Sequence, residues 1–288
     1  MMFKFKTFAV LSVLLVICYS ATAQKIPKLG VVYSLEQDSL IYASGFTMLG
    51  ESVGKMISPS LTEDQFNSNL LKIKNAKCKL YVCNVFFPSQ IKIAGPEVNE
   101  KRVLAYADSV FKRAKKAGVR LIVLGSSGAR RLPEGYDQEK AKVEFAALCR
   151  KLAVSAKKYQ VTIALESLET AETNFLLTLK SAAEVVRIAN HPNFRLNADI
   201  FHMMREGESA ESILAAGDVL AYCEVAEKEA RTFPGVKGDD FKPYFRALKE
   251  VNFKGKIFIE GNTKDPQKDL PLSYQYLTKQ LKEVYSEK

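Results

Sequence analysis

Four acids in the second half of the chain stand at or near the ends of apolar runs. Glu166 follows Val161–Leu165, Asp199 follows Phe194–Ala198, Glu224 lies in Val219–Val225, and Glu260 follows Lys256–Ile259. Like charges gathered a few ångströms apart in a partly buried pocket repel by several kcal/mol, on the order of a Coulomb estimate at intermediate dielectric. Such a cluster either binds protons or encloses a cation. An all-oxygen ligand set suits a hard divalent ion, Mn²⁺ or Mg²⁺, better than zinc or copper. His202, three residues after Asp199, is expected to overhang the same mouth, and Arg231, seven after Glu224, is a candidate for a substrate oxygen or phosphate. Gly125-Ser-Ser-Gly128 with Arg130 and Arg131 has the composition of an anion-holding turn.

Whether the acids meet depends on the elements that carry them. Eight short apolar runs punctuate the chain: Leu29–Tyr33, Phe46–Leu49, Leu80–Phe86, Val119–Leu124, Val161–Leu165, Phe194–Ala198, Val219–Val225 and Lys256–Ile259. Amphipathic stretches lie between most of them, at Thr62–Lys74, Asn99–Ala117, Asp137–Lys158, Leu176–Ala189, Asp239–Val251 and Asp269–Ser286. Ser60-Leu-Thr-Glu63 reads as a capping box opening the first of these. Strands alternating with helices imply parallel pairing through right-handed crossovers. Eight such units in one unbroken stretch predict a (β/α)₈ TIM barrel, α/β in class. The competing doubly wound sheet lacks the expected GxGxxG after its first strand.

Side chains alternate across a strand, so parity assigns each acid a direction. Val161, Ile163 and Leu165 share the face toward the helices, which turns Thr162, Ala164 and Glu166 inward. The same rule turns Asn197 and Asp199, Tyr222 and Glu224, and Glu260 into the barrel. All four acids then sit at the ends of adjacent strands, where TIM barrels carry their chemistry.

Composition bounds the function further. Lys4 and Lys6, the apolar run Phe8–Ile17 and Ala21-Thr-Ala23 form a secretory signal peptide over residues 1–23, predicting an exported protein that begins at Gln24. The remaining 265 residues, 24–288, suit one barrel domain. Its net charge falls from +10 to +8, because Lys4 and Lys6 leave and no acid does. The lysines are scattered on helix-like segments without interleaved aromatics, so a solvated outer surface is expected and nucleic acid is not a partner. The apolar run is too short to remain as a membrane span. Cys78 and Cys83 lie about 17 Å apart along one strand, too far to pair. Buried free thiols are expected at Cys78, Cys83, Cys149 and Cys223.

With these residues in view, the chain resembles the xylose-isomerase-like TIM barrels, the group of sugar-phosphate isomerases and ketose 3-epimerases. The likeness runs from about Gly30 to Glu260 and is carried by Gly125–Arg130, Ala164–Leu168 with Glu172–Phe175, Asp199–Met203, Ala226–Gly235 and Phe258–Glu260. It implies metal ligands at Glu166, Asp199 and Glu260, and an acid/base pair in Glu166 and Glu260. It also implies substrate contacts from Glu172, His202 and Arg231. The family's His-x-His on strand seven reads Tyr222-Cys-Glu224 here, so Glu224 is expected to replace the imidazole as fourth ligand. The implied reaction is metal-assisted isomerisation or epimerisation of a keto-sugar or related polyol through an enediolate, with a small-molecule sugar as partner and no nucleic acid. Two other classes compete. A non-catalytic sugar-binding barrel would keep the fold with a degraded metal site. An apurinic-endonuclease-like phosphoesterase would need many histidines, and the chain has only His191 and His202.

Overall fold

Each predicted apolar run forms a strand, and the strands close on themselves. The computed structural model describes residues 24–287. The signal-peptide expectation for residues 1–23 therefore lies outside the described residues. The strands are β1 (Leu29–Val32), β2 (Met48–Ser52), β3 (Lys79–Asn84), β4 (Leu121–Leu124), β5 (Thr162–Glu166), β6 (Phe194–Asp199), β7 (Leu220–Val225) and β8 (Lys256–Ile259). They pair in sequence order, all parallel, and β8 returns to β1, giving a closed eight-stranded TIM barrel.

The alternation inferred from sequence separates two cores. Val161, Ile163, Leu165, Leu196, Ala198, Cys223, Val225, Ile257 and Ile259 pack outward in the shell between strands and helices. Met48, Val82, Leu121, Val123, Ala164, Tyr222 and Phe258 fill the interior. Phe258 is the plug, its ring 5.9 Å from Tyr81 and 5.4 Å from Tyr222. A Cβ at Gly30 would collide with that ring, so glycine there makes room for it.

Several boundaries differ from the sequence expectation, four features among them for a clear local reason. The second strand begins at Met48 and continues through Gly50-Glu51-Ser52, which pair with Val82, Cys83 and Asn84, while Phe46 turns outward onto Tyr274. The capping box is formed by Thr62 and Gln65, because the Ser60 hydroxyl is engaged with Ser58. The helix expected from Leu176 begins at Leu179, since Leu176 holds a left-handed φ of 59° that no helix accommodates. The helix expected from Asp239 begins at Lys242, because the backbone at Gly238 and Asp239 is bound to Glu227. Among the described residues Cys78, Cys83, Cys149 and Cys223 are free and buried, as expected. Among the described residues no helix is long and apolar enough to cross a membrane.

Candidate active site

Because β5 to β8 end at the same level, their last inward residues converge. Register places Glu166 beside Asn197, and Asp199 beside Glu224. Glu166, Asp199, Glu224 and Glu260 each offer an oxygen within 4.8 Å of the others. There a cleft of about 130 Å³ is lined by Glu166, Glu172, His202, Arg231 and Glu260, together with Asn84 and Ser126. The structure thus brings all seven sequence-predicted site residues to one end of the barrel. Asp199 and Glu224 sit behind this lining, fully buried.

Each acid has distinct partners. The Oδ1 of Asp199 accepts the N–H of Phe201 at 2.8 Å, capping the short helix Ile200–Arg205 and freeing Oδ2 to face the cleft. The Oε1 of Glu224 accepts the Asn84 amide at 2.8 Å, and its Oε2 accepts the Asn197 amide at 2.5 Å. Asn84 also donates to Glu260. Arg231 bridges the pair on the other side, reaching Asp199 Oδ2 at 3.3 Å and contacting the Glu260 carboxylate, while its second amino nitrogen lies 3.6 Å from Glu172. The guanidinium stacks on Phe201 at 4.7 Å. His202 accepts the N–H of Glu169 at Nδ1, at 3.3 Å. Its Nε2 points toward Asp199 Oδ2 at 3.6 Å and Glu172 at 4.0 Å, buried and without a hydrogen-bond partner.

The electrostatics follow from crowding in a dry pocket. Burial, and then the charges of Glu224, Glu260 and Asp199, hold the Glu166 carboxyl well above the usual carboxylate range. Burial, Glu260 and Asp199 do the same to Glu224 against the opposing amides. Glu260 is also raised by burial, with Arg231 working against the shift. Burial disfavours the charge on Arg231, but Glu260 and Asp199 outweigh it and hold the guanidinium more firmly protonated than usual. One guanidinium faces four converging carboxyls, so crowding favours either bound protons or a cation among them. Four carboxyls offering oxygens alone make a donor set that fits a hard divalent cation.

The glycine turn after β4 has a different task from the one its composition suggested. Arg130 is fully buried and donates to the backbone carbonyl of Glu166 at 2.5 Å, and Arg131 donates to the carbonyl of Glu172 at 2.9 Å. Both arginines therefore brace the loop after β5, and Arg130 is buried away from any anion in solvent.

Sequence reasoning missed the supports. Asn84 shares the inward parity of Val82, a signal the third apolar run carried, and Asn197 had been placed inward without a role. Glu227, two residues beyond β7, is completely buried. It accepts the N–H groups of Gly235, Lys237 and Gly238 at 2.6–2.7 Å and the Thr232 hydroxyl at 2.8 Å. That cradle shapes the loop on which Arg231 stands.

Comparison with known proteins agrees with this architecture. An L-ribulose 3-epimerase from Methylomonas sp. (strain DH-1) is 35% identical over 121 residues, 42% of each chain. The chain thus spans less than half the length of this curated relative. A 3-keto-D-glucoside 4-epimerase from E. coli superposes with a TM-score of 0.74 at 18% identity, covering 88% of this chain and 99% of that one. The IOLI protein, solved with a bound zinc atom, superposes at 0.70 and 18% identity over 90% of this chain and 100% of its own. Residues 59–280 match the model of the xylose isomerase-like TIM barrel. Closed barrel, converging acids and family match agree, and the chain belongs to the xylose isomerase-like TIM barrel family.

Proposed function

We propose that this protein is a sugar epimerase or isomerase acting on a keto-sugar or related polyol, with Glu166 and Glu260 as its proton-transferring pair. The observation that carries the reading is that both carboxyls line one small cleft together with Glu172, His202 and Arg231. The similarity to a ketose 3-epimerase relative supports the substrate class.

Glu166 ends β5 and Glu260 follows β8, three strands around the ring, so a substrate carbon between them presents one face to each. Burial raises both carboxyls above the ordinary carboxylate range, the direction that favours a carboxyl acting as a general acid as well as a base. One carboxylate removes the proton α to the carbonyl and the other returns one to the opposite face for epimerisation. Return at the neighbouring carbon exchanges aldose and ketose. Arg231 and Glu172 hold substrate hydroxyls, and the free Nε2 of His202 is aimed to hydrogen-bond a third. Glu166, Asp199, Glu224 and Glu260 would hold a divalent ion, Mn²⁺ or Mg²⁺ in preference to Zn²⁺. When bound, the ion would supply stabilisation for the negative charge developing on the substrate oxygens. Export after cleavage at Ala23 belongs to the same proposal and is tested by the intact mass of the mature protein.

The test is hydrogen exchange: purified protein incubated with a ketose in D₂O should incorporate deuterium at carbon. Glu166→Gln and Glu260→Gln should each abolish incorporation while retaining the folded melting transition. Wild-type exchange in either variant rejects the paired mechanism. Sugar binding with neither metal affinity nor exchange would instead identify a binding barrel.

A further inference from the structure

Beside the candidate active site lies a second cavity of about 410 Å³, over the ends of β2 and β3. The two spaces share one wall, Val85, which directly follows Asn84. The catalytic cleft, at about 130 Å³, is the smaller of the two, so the adjoining cavity offers room beyond the reacting sugar.

The second cavity has a lining of definite chemistry. Ser52, Ser58, Ser60, Gln90 and Tyr106 contribute hydroxyl and amide groups, and no charged side chain is among its lining residues. Val85 and Pro88 supply carbon surface, and the Tyr106 ring is braced by Phe87 at 5.4 Å. Hydroxyls, an amide and an aromatic ring match a neutral sugar, which pairs hydroxyl edges with apolar C–H faces. Val85 is itself unusual: a β-branched residue at φ 57°, more than half exposed, with its side chain at the junction of the two spaces. Such strained backbone persists where the surroundings impose it and is concentrated at ligand sites.

We infer that the substrate is a keto-sugar carrying a second, uncharged sugar ring through a glycosidic bond, with that ring seated in the cavity beyond Val85. This rests on the proposed keto-sugar reading for the first ring, while the second-ring site stands on its own cavity. Gly54 provides a clean probe, because it lines the cavity and a Cβ added there meets no atom within 4 Å. Gly54→Phe should therefore fill the space without disturbing the fold.

The experiment is calorimetric titration with D-fructose and with lactulose, a fructose bearing a galactosyl ring. Lactulose should bind the wild-type protein at least tenfold more tightly than D-fructose. Gly54→Phe should remove that advantage and leave D-fructose affinity within twofold. Gln90→Ala, at an exposed position, should weaken lactulose binding severalfold and leave D-fructose unchanged. Equal affinity for the two sugars, no lactulose binding, or lactulose binding untouched by Gly54→Phe overturns the second-ring site. Lack of deuterium exchange on either sugar with the lactulose preference intact would reject the epimerase reading alone.

Discussion

Gly125 lies against the carboxylate of Glu166 so closely that a Cβ on the glycine would collide with Oε2. The glycine at the end of β4 thus decides where the acid at the end of β5 can stand. Gly125→Ala should push Glu166 out of the cleft and cut deuterium exchange at least tenfold. Forced overpacking should lower stability by about 1–3 kcal/mol. Exchange kinetics beside a thermal melt check this, and unchanged exchange would show that Glu166 tolerates displacement.

The acid cluster should make stability depend on pH in a defined direction. Glu166 and Glu224 have folded pKa values above the unfolded glutamate value of about 4.3. Their contribution is therefore fully present below that value and is lost as pH rises through the folded pKa. With chelator present, the melting temperature should fall between mildly acidic and mildly alkaline pH, and Glu224→Gln should flatten the slope. Added Mn²⁺ should restore stability most at the alkaline end. A slope unaffected by Glu224→Gln would place the pH dependence elsewhere.

Glu224 also bears on ion affinity. Replacing it with alanine should weaken Mn²⁺ binding at least tenfold, about 1.4 kcal/mol, in a calorimetric titration of metal-stripped protein. Since Asn84 and Asn197 engage both of its oxygens, Asn84→Ala should weaken the ion too, by freeing the carboxylate to move. Wild-type affinity in both variants would exclude Glu224 from the ion's ligands.

Arg231 makes three different kinds of contact: charge with Asp199 and Glu260, stacking on Phe201, and an Nε–H bond to the Glu260 carbonyl at 3.2 Å. Lysine can supply only the first. Arg231→Lys should raise KM for a ketose at least tenfold with a smaller change in kcat, read from steady-state rates. A fall in kcat with KM unchanged would point to a role in the transition state alone.

The barrel and the inward direction of its acids were legible because two-residue alternation leaves a strong trace in strands such as Thr162–Glu166 and Leu220–Val225. The partners of those acids were not legible. Asn84 meets Glu224 across 140 residues of sequence, and nothing local to either marks the contact. Arg130 was misread for the opposite reason: a glycine turn with arginines signals an anion only when the arginine points out, and here it turns beneath β5. Small shifts, such as Leu176 leaving its helix, came from backbone angles that hydrophobic periodicity does not encode.

The loop after β7 offers a further prediction. Glu227→Ala would remove the acceptor shared by the backbone N–H groups of Gly235, Lys237 and Gly238, at a cost of about 1.5–3 kcal/mol for a hydrogen bond to a charged group. A drop of several degrees in melting temperature should accompany a loss of ketose affinity, because Arg231 stands on that loop. Unchanged melting and affinity would mean that the loop holds its shape without the carboxylate.

Because Glu227 grips the loop by backbone N–H groups and a single hydroxyl, the shape of the loop is nearly indifferent to which side chains its surface residues carry. Lys228, Glu229 and Lys237 could drift in identity over generations without loosening Arg231. Substrate preference at this rim can therefore diversify while the arginine stays in place, leaving this stretch of the barrel mouth an exchangeable cassette clipped in by one buried acid.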